Sequence, residues 1–465
     1  MEISTFFTFR KVTGVLVVLV LACALFLSLH RFFDHDEFEA VHTAWKMMQG
    51  ERIYLDFANQ HHPFFYYLLM PFLKIFGETT QAILWMRVFM WVMYAAILRL
   101  TYLTAREVFG VERALLSALF LGSTLLFLHK AIEIRPDVPQ ALFSAAAFLY
   151  LVRYFQRNQR WRLYVSAVLM GISFLFLQKA LFPLLFIGAT LLYLGYKRRI
   201  PYREVFFYAD VAALAVAPYL IYLVATGTFS AYLDWAWIMN LKLDAHFPPY
   251  KFIVATLADN APLWLFYVLG ILFALKTPLE KFFAVASLIL FLSVFFVPAP
   301  SPQYFMAALP FVAIVSAAGL AETLAKRERM YTLAAAVIVL LPLIGGAYSM
   351  TSAFSGALYN TRQLEKINYV LFLTRPDDLV YDGDIQFNVY RGDLDFIWFS
   401  VSPREGQLST YQKWKGYRYD ILELIDEKKP KVISDYVIKK MLADPRISNH
   451  YGQSERYSDL YIRRD

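Results

Sequence analysis

Charge is what this chain has little of. Only 18% of its 465 residues are charged, while 59% are hydrophobic and 18% aromatic, against about 25% charged in ordinary soluble domains. That shortage excludes a single soluble fold, in which apolar residues recur periodically rather than in long runs. Cysteine is nearly absent: the one residue, Cys23, lies inside the first apolar run, so no internal disulfide can form. There is no Asn-x-Ser/Thr sequon, no internal repeat and no low-complexity tract. The net charge of +8 does not point to nucleic acid, because the basic residues sit in short clusters between apolar runs, as in cytoplasmic loops.

What the chain does have is apolar runs of bilayer-crossing length, about 20 residues each. They fall near 12–30, 83–103, 113–129, 138–153, 162–178, 180–196, 206–225, 261–275, 282–298, 304–321 and 331–349, eleven in all. Arg10 and Lys11 precede the first, which reads as an uncleaved signal anchor. Val20–Cys23 resembles a weak lipidation box, but the apolar run continues past it. A twelfth candidate, Pro63–Gly77, is short and contains Pro71 and Lys74. If it does not cross, Arg10/Lys11, Arg106/Arg113, Arg153–Arg162, Lys197–Arg203, Lys276/Lys281 and Lys326/Arg327/Arg329 all share one side. If it crosses, the first pair parts from the rest. The positive-inside rule selects the first arrangement. The N-terminus is then cytoplasmic, Pro63–Gly77 is an interfacial or re-entrant helix on the outer side, and the chain beyond about residue 350 is external.

In that last part charge density rises. Short alternating runs at Asp378–Tyr381, Phe396–Phe399, Lys431–Ser434 and Asp459–Ile462 are interleaved with helical patterns at Tyr419–Glu427 and Asp435–Leu442. The expected architecture is an α-helical polytopic membrane protein: a transmembrane domain over 1–349 and a small external α/β domain over 350–465.

On this topology the external loops collect the ionisable residues. The first, 31–82, carries Asp34, His35, Asp36, Glu37, Glu39, His42, Asp56, His61 and His62. Later loops add His129, Lys130, Glu133, Arg135 and Asp137, then Lys179, then Asp234, Lys242, Asp244, His246 and Lys251, and last Pro298–Tyr304. Ionisable groups at a membrane surface are costly to dehydrate, so they mark function by default. A carboxylate can act as a general base, and Lys or Arg can hold a phosphate. The combination suits chemistry on a phospholipid-like substrate better than an aqueous transport path.

Each residue also has a structural reading. Asp36 can cap a helix starting at Glu37. Arg135-Pro-Asp137 can simply open a helix, and Lys179 can snorkel. His61-His62-Pro63 can end the loop and orient the interfacial helix. Asp34-x-Asp36 has the form of a divalent-metal pair with His61 and His62 nearby, though such three-residue patterns are common by chance. Trp235, Trp237, Trp264 and Tyr267 read as interfacial belts.

Taken together, Asp36-Glu37-Phe38, Gly50 and Tyr54, Asp56-Phe57, His62-Pro63, Glu133-Ile-Arg-Pro-Asp137, and Gln303-Tyr304 with Pro310 carry a resemblance. Over residues 1–349 the chain is similar to the polyprenyl-phosphate-dependent glycosyltransferases of the GT-C fold. The bacterial relatives of protein O-mannosyltransferases and lipid A aminoarabinose transferases, families 39 and 83, are the nearest branch. The resemblance implies an inverting transfer of a sugar from an undecaprenyl-phosphate donor to a glycolipid or cell-envelope glycan at the bacterial inner membrane. It makes Asp36 the general base and Glu37 its structural or metal-directed partner. A single base suffices, because the phosphate leaves as an anion.

Asp56, His61, His62, Arg135, Asp137, Lys179, Gln303 and Tyr304 become candidates for substrate binding, and Asp34 with Asp36 for an optional divalent ion. Gln303-Tyr304 stands where some relatives have Arg-Tyr, which passes a phosphate contact to Lys179, Arg135 or Arg87. The rival readings are a transporter or flippase of lipid-linked sugars and a non-catalytic membrane scaffold. The first would show repeated halves and mid-span charges, the second tolerance to loss of Asp36.

Overall fold

The computed structural model describes residues 3–243, 254, 256–297, 301–324, 333, 336–337, 360–402 and 404–464. The chain forms two compact units. One comprises Met1–Leu29, Val88–Ile221 and Pro248–Ser355, the other His30–Arg87, Tyr222–Phe247 and Gly356–Asp465. The segment beyond residue 356 therefore clusters with the first loop, a grouping that the linear order of the chain does not suggest.

The first unit is helical. Six helical stretches of the described chain are long and apolar enough to cross a membrane: Lys11–His30 within α1 (Ile3–His30), α4 (Thr80–Phe109), α7 (Asp137–Arg157), Gln178–Tyr196 ending in α9 (Leu181–Tyr196), α10 (Tyr202–Ala225) and Pro278–Phe296. α8 (Arg160–Phe176), with 17 residues, stands at the lower limit of the usual spans, and Ala261–Ala274 and Leu309–Thr323 are shorter. Two glycines explain how the last pair packs. A Cβ on Gly270 would collide with the Val315 carbonyl, and one on Gly319 with the Phe266 carbonyl. Small residues that let helix backbones touch are the usual device where lipid gives no hydrophobic drive between helices.

The run 113–129 is not one helix. α5 (Val111–Ser123) and α6 (Leu125–Lys130) meet at Thr124, whose ψ of 117° is extended. The Ser123 and Thr124 hydroxyls donate back to the Leu119 and Phe120 carbonyls, and the Asn260 side chain accepts the Leu125 amide at 2.8 Å. The Leu125 amide at the break is thus satisfied by a side chain. Likewise 304–321 begins as a 3₁₀ turn, Pro302–Ala307, before Leu309–Leu324. Most of the expected eleventh span, 331–349, lies outside the described residues, as do Asp244, His246, Lys251, residues 298–300 and Lys326/Arg327/Arg329.

In the second unit, α2 (His35–Met48) packs on α3 (Phe64–Phe76). At 13 residues α3 spans about 20 Å, too short to cross a bilayer core of about 30 Å, as its Pro63–Gly77 window implied. A four-stranded sheet has the order β1-β2-β4-β3, with β1 (Val380–Tyr381), β2 (Val432–Ser434), β3 (Tyr451–Gln453) and β4 (Leu460–Arg463). β1 and β2 are parallel, Val380 facing Val432; β4 runs antiparallel to β2 and β3. The β1–β2 crossover contains helices Gly406–Lys415 and Ile421–Lys428.

Two readings of this region need correction. Phe396–Phe399 is not a strand, because its polar groups are spent on the first loop: the Phe396 carbonyl accepts the Ala58 amide, and the Trp398 indole donates to the Ala58 carbonyl. Asp435–Leu442 forms only the 3₁₀ turn Ile438–Met441, since Val437 adopts a φ of 65° that no helix continues through.

Candidate active site

The start of α2 decides what each acid of the first loop does. Asp34, in extended conformation, is the N-cap. Its carboxylate accepts the Asp36 amide at 3.2 Å, and the Glu37 carboxylate reaches back to the Asp34 amide at 3.0 Å, closing a capping box. The capping role that Asp36 was open to therefore belongs to Asp34, two residues earlier, and the helix begins at His35. Asp36 sits at the second helical position with 32% of its side chain exposed.

Glu37 is entirely buried. Arg87, also buried, donates to it twice, from Nε at 2.8 Å and Nη2 at 2.5 Å. The same guanidinium donates to the Arg31 and Phe32 carbonyls and stacks 3.6 Å over the Phe33 ring. Arg87 is thereby committed to Glu37 and the end of α1, and Glu37 is the structural partner. The acid pair is split into one locked and one accessible carboxylate.

His35 lies between Asp34 and Asp36, its Nε2 3.1 Å from Asp36 Oδ1 and its Nδ1 3.6 Å from Asp34 Oδ1. The hydrogen bond to Asp36, helped by the charges of Asp34 and Asp384 and opposed by partial burial, pushes the imidazole up to about 9. Asp34, His35 and Asp36 offer three ligand atoms within 4.8 Å of one another. This oxygen–nitrogen set fits a divalent cation once the imidazole gives up its proton.

Asp384, from the segment beyond residue 360, is a residue that sequence reasoning missed. Burial pushes its carboxyl up; His35 opposes that and Asp36 adds to it. The loop that carries it is pinned by Asp382, whose carboxylate accepts the amides of Gln386, Phe387 and Asn388 at 2.7–2.8 Å. Phe399 approaches the His35 ring from the same segment. Asp382-Gly-Asp384 reads in sequence as an ordinary turn, and nothing local reveals its neighbours.

Two buried clusters hold this part of the unit together. Asn59 donates to Glu39 Oε1 at 2.7 Å and Thr43 Oγ1 at 3.1 Å, and accepts from the His61 amide and the Tyr66 hydroxyl, so all four of its hydrogen-bond positions are used. Asp393 accepts from Lys46 at 2.7 Å and from His42 Nε2 at 2.9 Å, while His42 Nδ1 donates to the Val389 carbonyl.

The other first-loop candidates make local contacts. Asp56 closes a turn with Arg52 through the backbone amide at 2.7 Å and the guanidinium. His62 is buried, its Nε2 3.0 Å from the Tyr232 hydroxyl, which accepts from Trp237. Tyr232 leads into a π-helical stretch, Leu233–Met239, where Trp235 stacks on Tyr411 instead of facing a bilayer interface. The His61 carbonyl accepts from Tyr54.

In the first unit, Asp137, Lys179, Gln303 and Tyr304, four of the predicted residues, line one cleft. Lys179 donates to Asp137 at 2.7 Å, and its ammonium lies 3.3 Å from the centre of the Tyr304 ring. Leu290 and Val294 form the apolar wall. Arg135 does not line it; it joins Lys130 on the buried Glu133, at 2.7 and 2.9 Å.

This architecture defines a class: the chain has the GT-C fold of membrane glycosyltransferases. Its structure matches that of ArnT from Cupriavidus metallidurans bound to undecaprenyl phosphate, with a TM-score of 0.66 over 97% of each chain at 13% identity. It matches the Archaeoglobus fulgidus oligosaccharyltransferase AglB, in complex with an inhibitory peptide and a dolichol-phosphate, with a TM-score of 0.54. That match covers 97% of this chain and 74% of the other, at 13% identity. Residues 60–224 match the family model described as dolichyl-phosphate-mannose-protein mannosyltransferase. No curated protein sequence matches.

Proposed function

We propose that this chain is an inverting glycosyltransferase that moves a hexosyl or pentosyl group from a polyprenyl-phosphate donor to an acceptor hydroxyl of a lipopolysaccharide, another glycolipid or a cell-envelope glycan. The observation that carries the reading is the division of labour between Asp36 and Glu37. A capping box and a bidentate arginine fix the helix start, so that one carboxylate is left accessible at a defined place. Asp36 takes the proton of the acceptor hydroxyl. The alkoxide forms a bond to the anomeric carbon as that carbon's bond to the phosphate oxygen breaks, and the polyprenyl phosphate departs with the electron pair.

Lys179 and Tyr304 are assigned to the donor, Lys179 supplying charge to the phosphate and the aliphatic wall of its cleft receiving part of the lipid. A divalent ion, where bound, would be held by Asp34, Asp36 and His35 and would neutralise phosphate charge. The N-terminus is assigned to the cytoplasm of a bacterial inner membrane and the segment beyond residue 350 to the periplasm, on the positive-inside count.

The test is sugar transfer from a panel of radiolabelled undecaprenyl-phosphate sugars in membranes holding wild type or Asp36→Asn. Loss of at least a hundredfold in the variant, with unchanged melting, supports the base. Equal turnover removes Asp36 from that role.

A further inference from the structure

Another opening lies in the first unit at the other end of α7 from Asp137, about 30 Å along the helix. It is an open cleft lined by Asn158, Gln159, Arg160, Trp161, Arg199 and Glu204, among others. Nothing in the proposed transfer uses it. Glu204 is its one carboxylate, and that charge is already met: it is buried, and accepts from Arg160 Nε at 2.8 Å and from the Tyr154 hydroxyl. Arg199 is exposed and makes no ion pair among the described residues, and Lys197, Arg198 and Arg203 beside it are exposed too. The lining therefore carries an uncompensated positive charge.

What surrounds the cleft narrows the ligand. Trp161, Tyr196 and Tyr202 stand exposed around it, amphipathic rings of the kind that settle at a membrane–water boundary. Further along the same helices, Val168 of α8, Leu192 of α9 and Phe206 of α10 are exposed. Each of the three helices that lead away from the cationic cleft thus exposes apolar side chains. We propose that the cleft binds the phosphate headgroup of an anionic phospholipid, with its acyl chains on the exposed faces of α8–α10. Guanidinium groups bind phosphate oxygens in pairs, and basic pockets between transmembrane helices are known headgroup sites. A free phosphate would use the arginines alone and leave these exposed apolar side chains without a role.

The experiment titrates the full-length protein in detergent with phosphatidylglycerol, phosphatidylcholine or inorganic phosphate and reads bound lipid by native mass spectrometry. Arg199→Glu is compared with Arg404→Glu, an equal charge change at an exposed site of the other unit. Phosphatidylglycerol is expected to bind at least tenfold more weakly to Arg199→Glu and unchanged to Arg404→Glu, with equal melting temperatures. Equal weakening by both variants, or equal binding of phosphatidylcholine, would overturn the site. Saturation by inorganic phosphate with no gain from the diacyl chains would overturn the lipid assignment.

Discussion

Asp36 and Glu37 are adjacent carboxylates whose substitutions are expected to fail in opposite ways. Glu37 and Arg87 are both buried, and each has the other as its counter-charge. Removing one partner of such a pair leaves an uncompensated charge and costs about 3–5 kcal/mol, whereas replacing both with apolar residues is often near neutral. Arg87→Met should therefore lower the melting temperature sharply, and Arg87→Met/Glu37→Leu should recover most of it in the same detergent. Asp36→Asn should leave melting unchanged and abolish transfer. A third pattern is expected at Lys179. Lys179→Met keeps the aliphatic stem beside Tyr304 and loses the charge, so steady-state kinetics should show a raised KM for the donor with a smaller change in kcat. A fall in kcat alone would assign Lys179 to the transition state instead.

At the scale of the element, α2 is the part on which the proposed chemistry depends. Asp34→Ala removes its cap and should cost about 1 kcal/mol. It should also reduce transfer by more than that loss of stability explains, because the first turn that aims Asp36 frays. Melting measured beside turnover separates the two effects, and Asp34→Ser, which can still cap, should restore both. The capping box was present in the sequence as Asp34-x-x-Glu37. In the sequence alone Asp36 reads as the cap, since an acid just before an apolar-periodic run can serve, and the reciprocal Glu37 contact assigns it to Asp34 instead. Among the described residues, six of the eleven expected spans were readable, because composition and length alone specify them. The break at Thr124 was not, since it depends on Asn260, 136 positions away. Lys179 and Tyr304 were readable as separate candidates, but their contact spans 125 positions and appears only in the fold.

At the scale of the whole molecule, the segment beyond residue 360 is not an appendage to the first loop but part of one unit with it. Arg391 pairs with Glu78 at 3.0 Å, the Tyr390 hydroxyl donates to the Thr79 carbonyl, and Asp384 reaches the neighbourhood of Asp36. Sequence patterning identified the small sheet from its alternating runs. It had no means of finding these neighbours, because each joins segments more than 300 residues apart and no periodicity marks it.

Asp393, bonded to His42 and Lys46 of α2, makes the stability of the unit depend on pH in a defined direction. Burial alone would raise the Asp393 carboxyl, but His42 and Lys46 outweigh it and hold the group below the usual carboxylate range. Lys46 is raised by Asp393 and Glu51 despite its own burial. A depressed carboxyl binds its proton less readily in the folded chain than in the unfolded one. Its stabilisation is therefore complete above the ordinary aspartate value of about 4 and is lost as pH falls through the depressed one. The raised lysine contributes fully below its ordinary value of about 10.4, and that contribution is lost as pH rises through the elevated one. Asp393→Asn leaves the buried Lys46 ammonium facing an amide, so near neutral pH it should destabilise the unit by about 3–5 kcal/mol. The gap between wild type and variant in thermal melting should close progressively as pH falls below about 4. A gap that stayed constant to pH 2 would show that Asp393 contributes packing alone and that its charge does not tie the terminal segment to α2.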